Sequence, residues 1–229
     1  MITRPFLSLI LVCGLACHLP GNSVADEPDL SVVQKWIEAQ AKVTTVTGSF
    51  EQVRTLKTVK RPLKSSGTFS FKIPGSFRWQ AGDPASLIAV RKDGGDFWVL
   101  RPSKKIAERH SAESLEEDGK ANAAAFLEAG FPRDFETFQK NFEVKKIQPN
   151  SNDSYMEIEV DFRDRRARTG VVKLTFYVDT REHLLRGFKL YLRDASEIFC
   201  QFSNMRTGVS IPASTFEVDT TGYEIEEKK

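Results

Sequence analysis

Histidine and cysteine are scarce in this chain, with three of each among 229 residues. Cys13 and Cys17 fall in an apolar N-terminal run, so Cys200 stands alone in the remainder and no internal disulfide is expected there. It alternates with Ile198 and Phe202, a pattern that buries the thiol and leaves it inert. Catalytic motifs are missing as well. There is no Gly-x-Ser-x-Gly elbow, no His-Glu-x-x-His pair and no glycine-rich phosphate loop. His110, beside Arg109 and Ser111, reads as a residue of a charged loop, and His183 as part of a hairpin link. His110 with Glu108 and Glu113 is too sparse a set for a metal. Glu113, Glu116, Glu117 and Asp118 suit the start of a helix, where carboxylates complement the dipole. The expectation is a protein that is not an enzyme and has no catalytic residue, metal or cofactor. A formal net charge of +2 gives no bias toward nucleic acid.

Long apolar runs are absent beyond the first twenty residues, which excludes a later membrane-spanning helix. The beginning has the three-part layout of an export signal. Arg4 precedes an apolar run at 6–19, Pro20-Gly21-Asn22 breaks it, and Ser23-Val24-Ala25 offers small residues to a signal peptidase. Cleavage after Ala25 is expected, leaving residues 26–229 as a single periplasmic domain. A rival reading takes Gly14-Leu15-Ala16-Cys17 as a lipoprotein processing site with Cys17 lipidated.

The remainder of the chain reads mostly as strand. Residues 30–43 first carry a helical period in Leu30, Val33, Ile37 and Ala41, with Trp36 on the flank. From Val46 the period is two, through Gly48 and Phe50, and again in Phe69, Phe71 and Ile73. A basic stretch (Lys57, Lys60, Arg61, Lys64) separates these two segments. Segments 87–91 and 97–101 flank Lys92-Asp93-Gly94-Gly95-Asp96, a hairpin signature. Residues 114–130 and 134–142 read as helices, broken at Gly130-Phe131-Pro132. Strands resume at 155–162, 171–178, 184–192 and 197–205, with a last one near 215–219. Arg163, Arg165, Arg166 and Arg168 mark a basic link. The fold class expected is mainly β (α+β): one incomplete, strongly curled antiparallel barrel, its inserted helices packed on one face or plugging a mouth.

Phenylalanine is abundant, at 17 residues, and it has two readings. It can fill an aromatic core, or it can line a cavity in a barrel that its own side chains do not fill. The cavity candidates are Phe50, Phe69, Phe71, Phe77, Trp79 and Phe176, with one of the adjacent pair Phe97 and Trp98, here Trp98. The inserted helix adds Leu115, Phe126 and Leu127. Each methylene of an alkyl chain buried there would contribute about 0.8 kcal/mol.

Several segments in order resemble the outer-membrane lipoprotein carrier family, LolA. They are Gly48-Ser49-Phe50-Glu51-Gln52, Ser66-Gly67-Thr68-Phe69, Pro74-Gly75-Ser76-Phe77-Arg78-Trp79, Asp93-Gly94 followed by Phe97-Trp98-Val99-Leu100-Arg101-Pro102, and Ile211-Pro212-Ala213-Ser214-Thr215-Phe216. The resemblance spans about residues 30–224. It implies a helical lid over a hydrophobic cavity for acylated lipoprotein or another lipid, carried from inner to outer membrane. It further implies an inner-membrane ABC-type lipoprotein-releasing complex as donor, an outer-membrane acceptor, and a monomeric protein without cofactor. Where the family pattern has a lid-latching arginine before the proline, this chain has Ile73; Arg78 is the nearby candidate for a lid or partner contact. Two alternatives share the fold: a lipidated outer-membrane acceptor, and a lipid-sensing regulatory module that binds an anti-sigma factor.

Overall fold

A computed structural model describes residues 28–73, 75–112, 132–151, 154–165 and 167–228. Helix α1 (Ser31–Ala41) leads into six strands: β1 (Thr45–Thr55), β2 (Leu63–Lys72), β3 (Ser76–Ala81), β4 (Leu87–Arg91), β5 (Phe97–Arg101) and β6 (Ile106–His110). A short helix α2 (Phe135–Asn141) precedes β7 (Phe142–Pro149), β8 (Tyr155–Phe162), β9 (Val171–Asp179), β10 (Leu185–Leu192), β11 (Glu197–Thr207) and β12 (Glu224–Lys228). The twelve strands form one sheet in the order β12-β6-β5-β4-β3-β2-β1-β11-β10-β9-β8-β7. Two meanders are thus joined where β1 pairs antiparallel with β11. The consecutive strands β6 and β7 lie near opposite margins of the sheet.

The expected antiparallel sheet is present with one exception: β12 runs parallel to β6. The strand expected near 215–219 is instead a 3-10 turn, Ala213–Phe216, and the last strand begins only at Glu224. Phe216 is buried in this turn, which packs beside β3. The helix expected at 114–130 lies outside the described residues, and so do Leu115, Phe126 and Leu127. The shorter helix at Phe135–Asn141 is present, with Asp134 Oδ1 accepting from the Thr137 backbone N–H at 2.7 Å as its N-cap.

Curling begins in the local sequence. Irregular register in the β1–β11, β9–β10 and β7–β8 pairs increases the twist of those strands. Between β1 and β2, two glycine–phenylalanine pairs face each other: Gly48 opposite Phe69, and Gly67 opposite Phe50. A Cβ at Gly48 would stand 2.6 Å from the Phe69 ring, and one at Gly67 would stand 1.9 Å from the Gln80 carbonyl oxygen and 2.7 Å from the Phe50 ring. Each ring therefore occupies space that only a glycine on the neighbouring strand leaves open. This is the structural reason for the Gly-x-Phe spacing in both segments.

One large apolar cluster fills the inner side of the sheet. Helix α1 contributes Val33, Trp36 and Ile37, and α2 contributes Phe138. A smaller cluster of Val90, Leu100 and Ala107 lies on the outer side of β4–β6, with Val218 and Tyr223 of the C-terminal segment packed over it. No helix among the described residues is long and apolar enough to cross a membrane.

Candidate functional site

The inner face carries an aromatic strip across seven strands. Phe97 stands 5.6 Å from Phe77, Phe77 stands 6.1 Å from Phe71, and Phe71 stands 5.5 Å from Phe69. Phe69 then meets Trp79 at 6.0 Å and Phe202 at 5.0 Å. Trp79 stacks on Phe50 at 3.8 Å with 21° between the planes, and Phe202 continues to Phe188 at 6.0 Å. Period-two alternation on antiparallel strands brings these rings together, since cross-strand partners such as Phe69 and Trp79, or Phe71 and Phe77, share a face. Of the sequence candidates, Phe50, Phe69, Phe71, Phe77 and Trp79 lie on this strip.

Phe176 sits in a second aromatic group. Its ring is 4.9 Å from Trp36 and 6.5 Å from Phe138, so α1 and α2 cover it directly. Two polar atoms buried beside this group have no hydrogen-bond partner among the described residues, Nε1 of Trp36 and Oε1 of Gln40. They lie one helical turn apart on α1, on the side that meets the core.

One candidate is corrected and another is placed on the outer face. Trp98 points to the outer side, packing against the Val90–Leu100–Ala107 cluster with the Arg109 guanidinium 5.7 Å from its ring centroid; its neighbour Phe97 is the inward residue. Arg78 also turns outward. It lines a groove of about 460 Å³ with Ile88, Val90, Leu100, Val218 and Tyr223, beneath the C-terminal segment rather than over the aromatic strip. Partial burial lowers its pKa, and its hydrogen bond is to Gln80 Oε1 at 3.4 Å. At the latch position, Ile73 packs against the main cluster and its N–H donates to the Thr44 carbonyl at 2.8 Å.

Sequence reading missed two polar residues on the inner face. In the strand register Arg91 lies across from both Phe77 and Phe97, and His110 lies across from Phe97, its ring 5.4 Å away. His110 therefore closes β6 instead of standing in a loop. Recognising Ile106–His110 as a strand would have placed it. His183 is the turn residue expected, at φ 54° in the β9–β10 link, where Asp179 Oδ1 accepts from the Arg181 and Glu182 N–H groups, both at 2.8 Å. The basic link after β8 has structural work: Arg163 Nε donates to the carbonyls of Gln139 at 2.7 Å and Phe142 at 3.2 Å.

Cys200 is fully buried, and burial pushes its thiol up to about 12. In protein lacking the N-terminal run, this single thiol is expected to stay unlabelled by a maleimide at pH 8 and to react fully in denaturant. Rapid labelling of the native protein would show the core around β11 to be open. No group of three or more histidine, cysteine or carboxylate residues able to hold a metal ion occurs among the described residues. The arrangement offers apolar contact and shape.

An outer-membrane lipoprotein carrier protein of Legionella pneumophila is 24% identical over 218 residues, covering 94% of both chains. An uncharacterized conserved protein of Thermus thermophilus shares the fold at a TM-score of 0.52 and 7% identity, covering 86% of this chain and 99% of its own. A LolA superfamily protein of Nitrosomonas europaea superposes with a TM-score of 0.44 at 13% identity, covering 84% of this chain and 98% of its own. Residues 41–219 match the family of the outer membrane lipoprotein carrier protein LolA, and the chain belongs to that family.

Proposed function

We propose that this chain is a periplasmic carrier that shelters the acyl chains of a lipoprotein, or of another lipid, against the aromatic inner face of its curled sheet. The observation that carries this reading is the unbroken run of rings from Phe97 to Phe188. Alkyl chains gain about 25 cal/mol for each Å² of apolar surface they bury, and such a surface recognises them without directional bonds. The name of the Legionella relatives supports lipoprotein as the cargo. On this reading the protein catalyses nothing. It accepts cargo from an inner-membrane ABC-type releasing complex and passes it to an outer-membrane acceptor, acting as a monomer after removal of residues 1–25. Transfer follows the difference in cargo affinity between the carrier's states and its partners, because a ligand shifts an equilibrium only by that difference.

The test is mass spectrometry of protein purified natively from the periplasm, with the bound material extracted and identified. Acylated peptide or lipid in near-stoichiometric amount is the expected result. A clean apo-protein that also fails to take up lipoprotein from membranes would overturn the reading. The same spectrum gives the mature N-terminus, and a lipidated Cys17 there would make the protein an anchored acceptor instead.

A further inference from the structure

The strand order sends every second loop to the same end of the sheet. The β1–β2 loop, the β5–β6 loop and the start of β12 all lie at this end, as do the β3–β4, β8–β9 and β10–β11 links. Charge is distributed unevenly between the two ends. Lys57, Lys60, Arg61 and Lys64 occupy the β1–β2 tip, and Lys104 and Lys105 the β5–β6 turn. All six side chains are exposed, and none is ion-paired among the described residues. The carboxylates at this end are Asp83, Asp164 and Asp194 in neighbouring links, together with Glu143, Glu197 and Glu224 at the first or second positions of β7, β11 and β12. Asp194 accepts from the Ser196 N–H at 2.9 Å and feels the charge of Lys57, Glu143 and Glu197 pair with Lys145 and Lys189, and the exposed Glu224 lies beside Lys105, so the cations still outnumber the remaining carboxylates. At the opposite end charges alternate in sign, Lys92 with Asp93 and Asp96, and Arg181 with Glu182.

The exposed aliphatic side chains gather at the same end. The large hydrophobic residues that stand exposed among the described residues are Val59 (41%), Leu63 (48%), Val172 (52%) and Ile225 (49%). Val59 is in the β1–β2 tip, and Leu63, Val172 and Ile225 are first or second residues of strands that begin at this end. The β1–β2 hairpin also extends past β3, while β11 accompanies its β1 arm as far as Thr55. Its β2 arm continues from Gly67, the last residue paired with β3, out to Leu63, a reach of about 13 Å.

We infer that this end of the sheet is a docking surface for an anionic phospholipid bilayer. Unpaired lysine and arginine at loop tips meet lipid phosphates, and each contributes attraction while it stays within a Debye length of the surface. Aliphatic side chains interspersed among the cations enter the headgroup region, the combination that holds peripheral proteins on membranes. An acidic protein partner fits less well. Protein interfaces centre on contiguous aromatic anchors, whereas here single aliphatic residues are spread along a rim with no aromatic side chain in the β1–β2 or β5–β6 loop. Docking brings the carrier to a bilayer independently of cargo, so it goes beyond the carrier reading and does not rest on it.

Co-sedimentation of the purified protein with vesicles tests this directly. Strong partitioning is expected onto vesicles of phosphatidylcholine with about a third phosphatidylglycerol, weak partitioning onto pure phosphatidylcholine, and release by molar salt. The variant K57Q/K60Q/R61Q should lose at least about tenfold in partitioning, and Val59→Asp several-fold. Both should keep the thermal midpoint and the acyl-probe binding of the parent, since these side chains are exposed and remote from the aromatic strip. Equal partitioning onto neutral and anionic vesicles, or an unaffected triple variant, would overturn the proposal. So would loss of acyl-probe binding in a folded triple variant, which would assign the tip to cargo. Binding by an acidic protein but not by anionic vesicles would replace the bilayer with a protein partner.

Discussion

Phe77→Glu is expected to abolish binding of an acylated probe while the protein keeps its β-rich far-UV spectrum. Phe77 is nearly fully buried, midway along the aromatic strip between Phe71 and Phe97. A carboxylate there interrupts the apolar surface, and any alkyl chain lying across it must desolvate the charge. That penalty is several kcal/mol, so affinity should fall by at least about a hundredfold. Because the position is buried, the charge also costs the sheet stability, with Arg91, the register partner of Phe77 on β4, flanking the new carboxylate, and the thermal midpoint is measured alongside the spectrum so that binding is compared only in folded protein. Phe77→Leu is the control: it keeps an apolar side chain and should retain most of the binding. Probe binding by a folded Phe77→Glu protein at the parent's affinity would remove this residue from the cargo surface.

The second large effect belongs to Trp36. Its indole is fully buried, edge-on to Phe138 at 5.7 Å and tilted against Phe176 at 4.9 Å, and so links α1 to α2 and to β9. Trp36→Ala should cost about 3–5 kcal/mol in chemical denaturation, the range for removing a buried aromatic side chain and leaving a cavity. Trp36→Phe should cost much less. It keeps an aromatic ring and deletes an N–H that has no partner among the described residues, so part of the lost packing is offset by relief of an unsatisfied donor. A cost below about 1 kcal/mol for Trp36→Ala would mean that α1 contributes little to the stability of the sheet.

Both predictions depend on face assignments that were only partly legible in the residues. Where one face of a strand is apolar and the other polar, alternation suffices, as in β2, whose Phe69 and Phe71 point inward between Thr68, Ser70 and Lys72. On β5 it fails, because Phe97-Trp98-Val99-Leu100 is apolar at every position. Both faces are covered there: the main cluster takes Phe97, while the C-terminal segment shelters Trp98, Leu100 and Val90 on the outside. A one-residue change of parity then looks the same in the sequence and moves a side chain to the opposite face.

The strands that escaped notice share another trait. β6, β7 and β12 are rich in charge, and their side chains are held by ion pairs, such as Arg101 with Glu108 at 2.5 Å and Arg109 with Glu227 at 3.2 Å. In β6 and β12 no clear apolar stripe results, and in β7 the stripe of Phe142, Val144 and Ile147 is thrown out of period two by the irregular register between Val144 and Lys146. The expected strand near 215–219 was lost for the converse reason: its apolar residues Phe216 and Val218 pack over the outer face instead of joining the ladder.

The sequence by itself determined the β-rich class, the long alternating strands, the glycine–phenylalanine spacing of β1 and β2, the buried thiol and the family. These depend on local periodicity or on short motifs, which neighbouring residues set. Tertiary structure alone decided the parallel pairing of β12 with β6, the inward choice of Phe97 over Trp98, the outward turn of Arg78, and the placing of His110 beside the aromatic strip. Each of these depends on which distant segment covers a face, and that coverage comes from contacts between residues far apart in the chain.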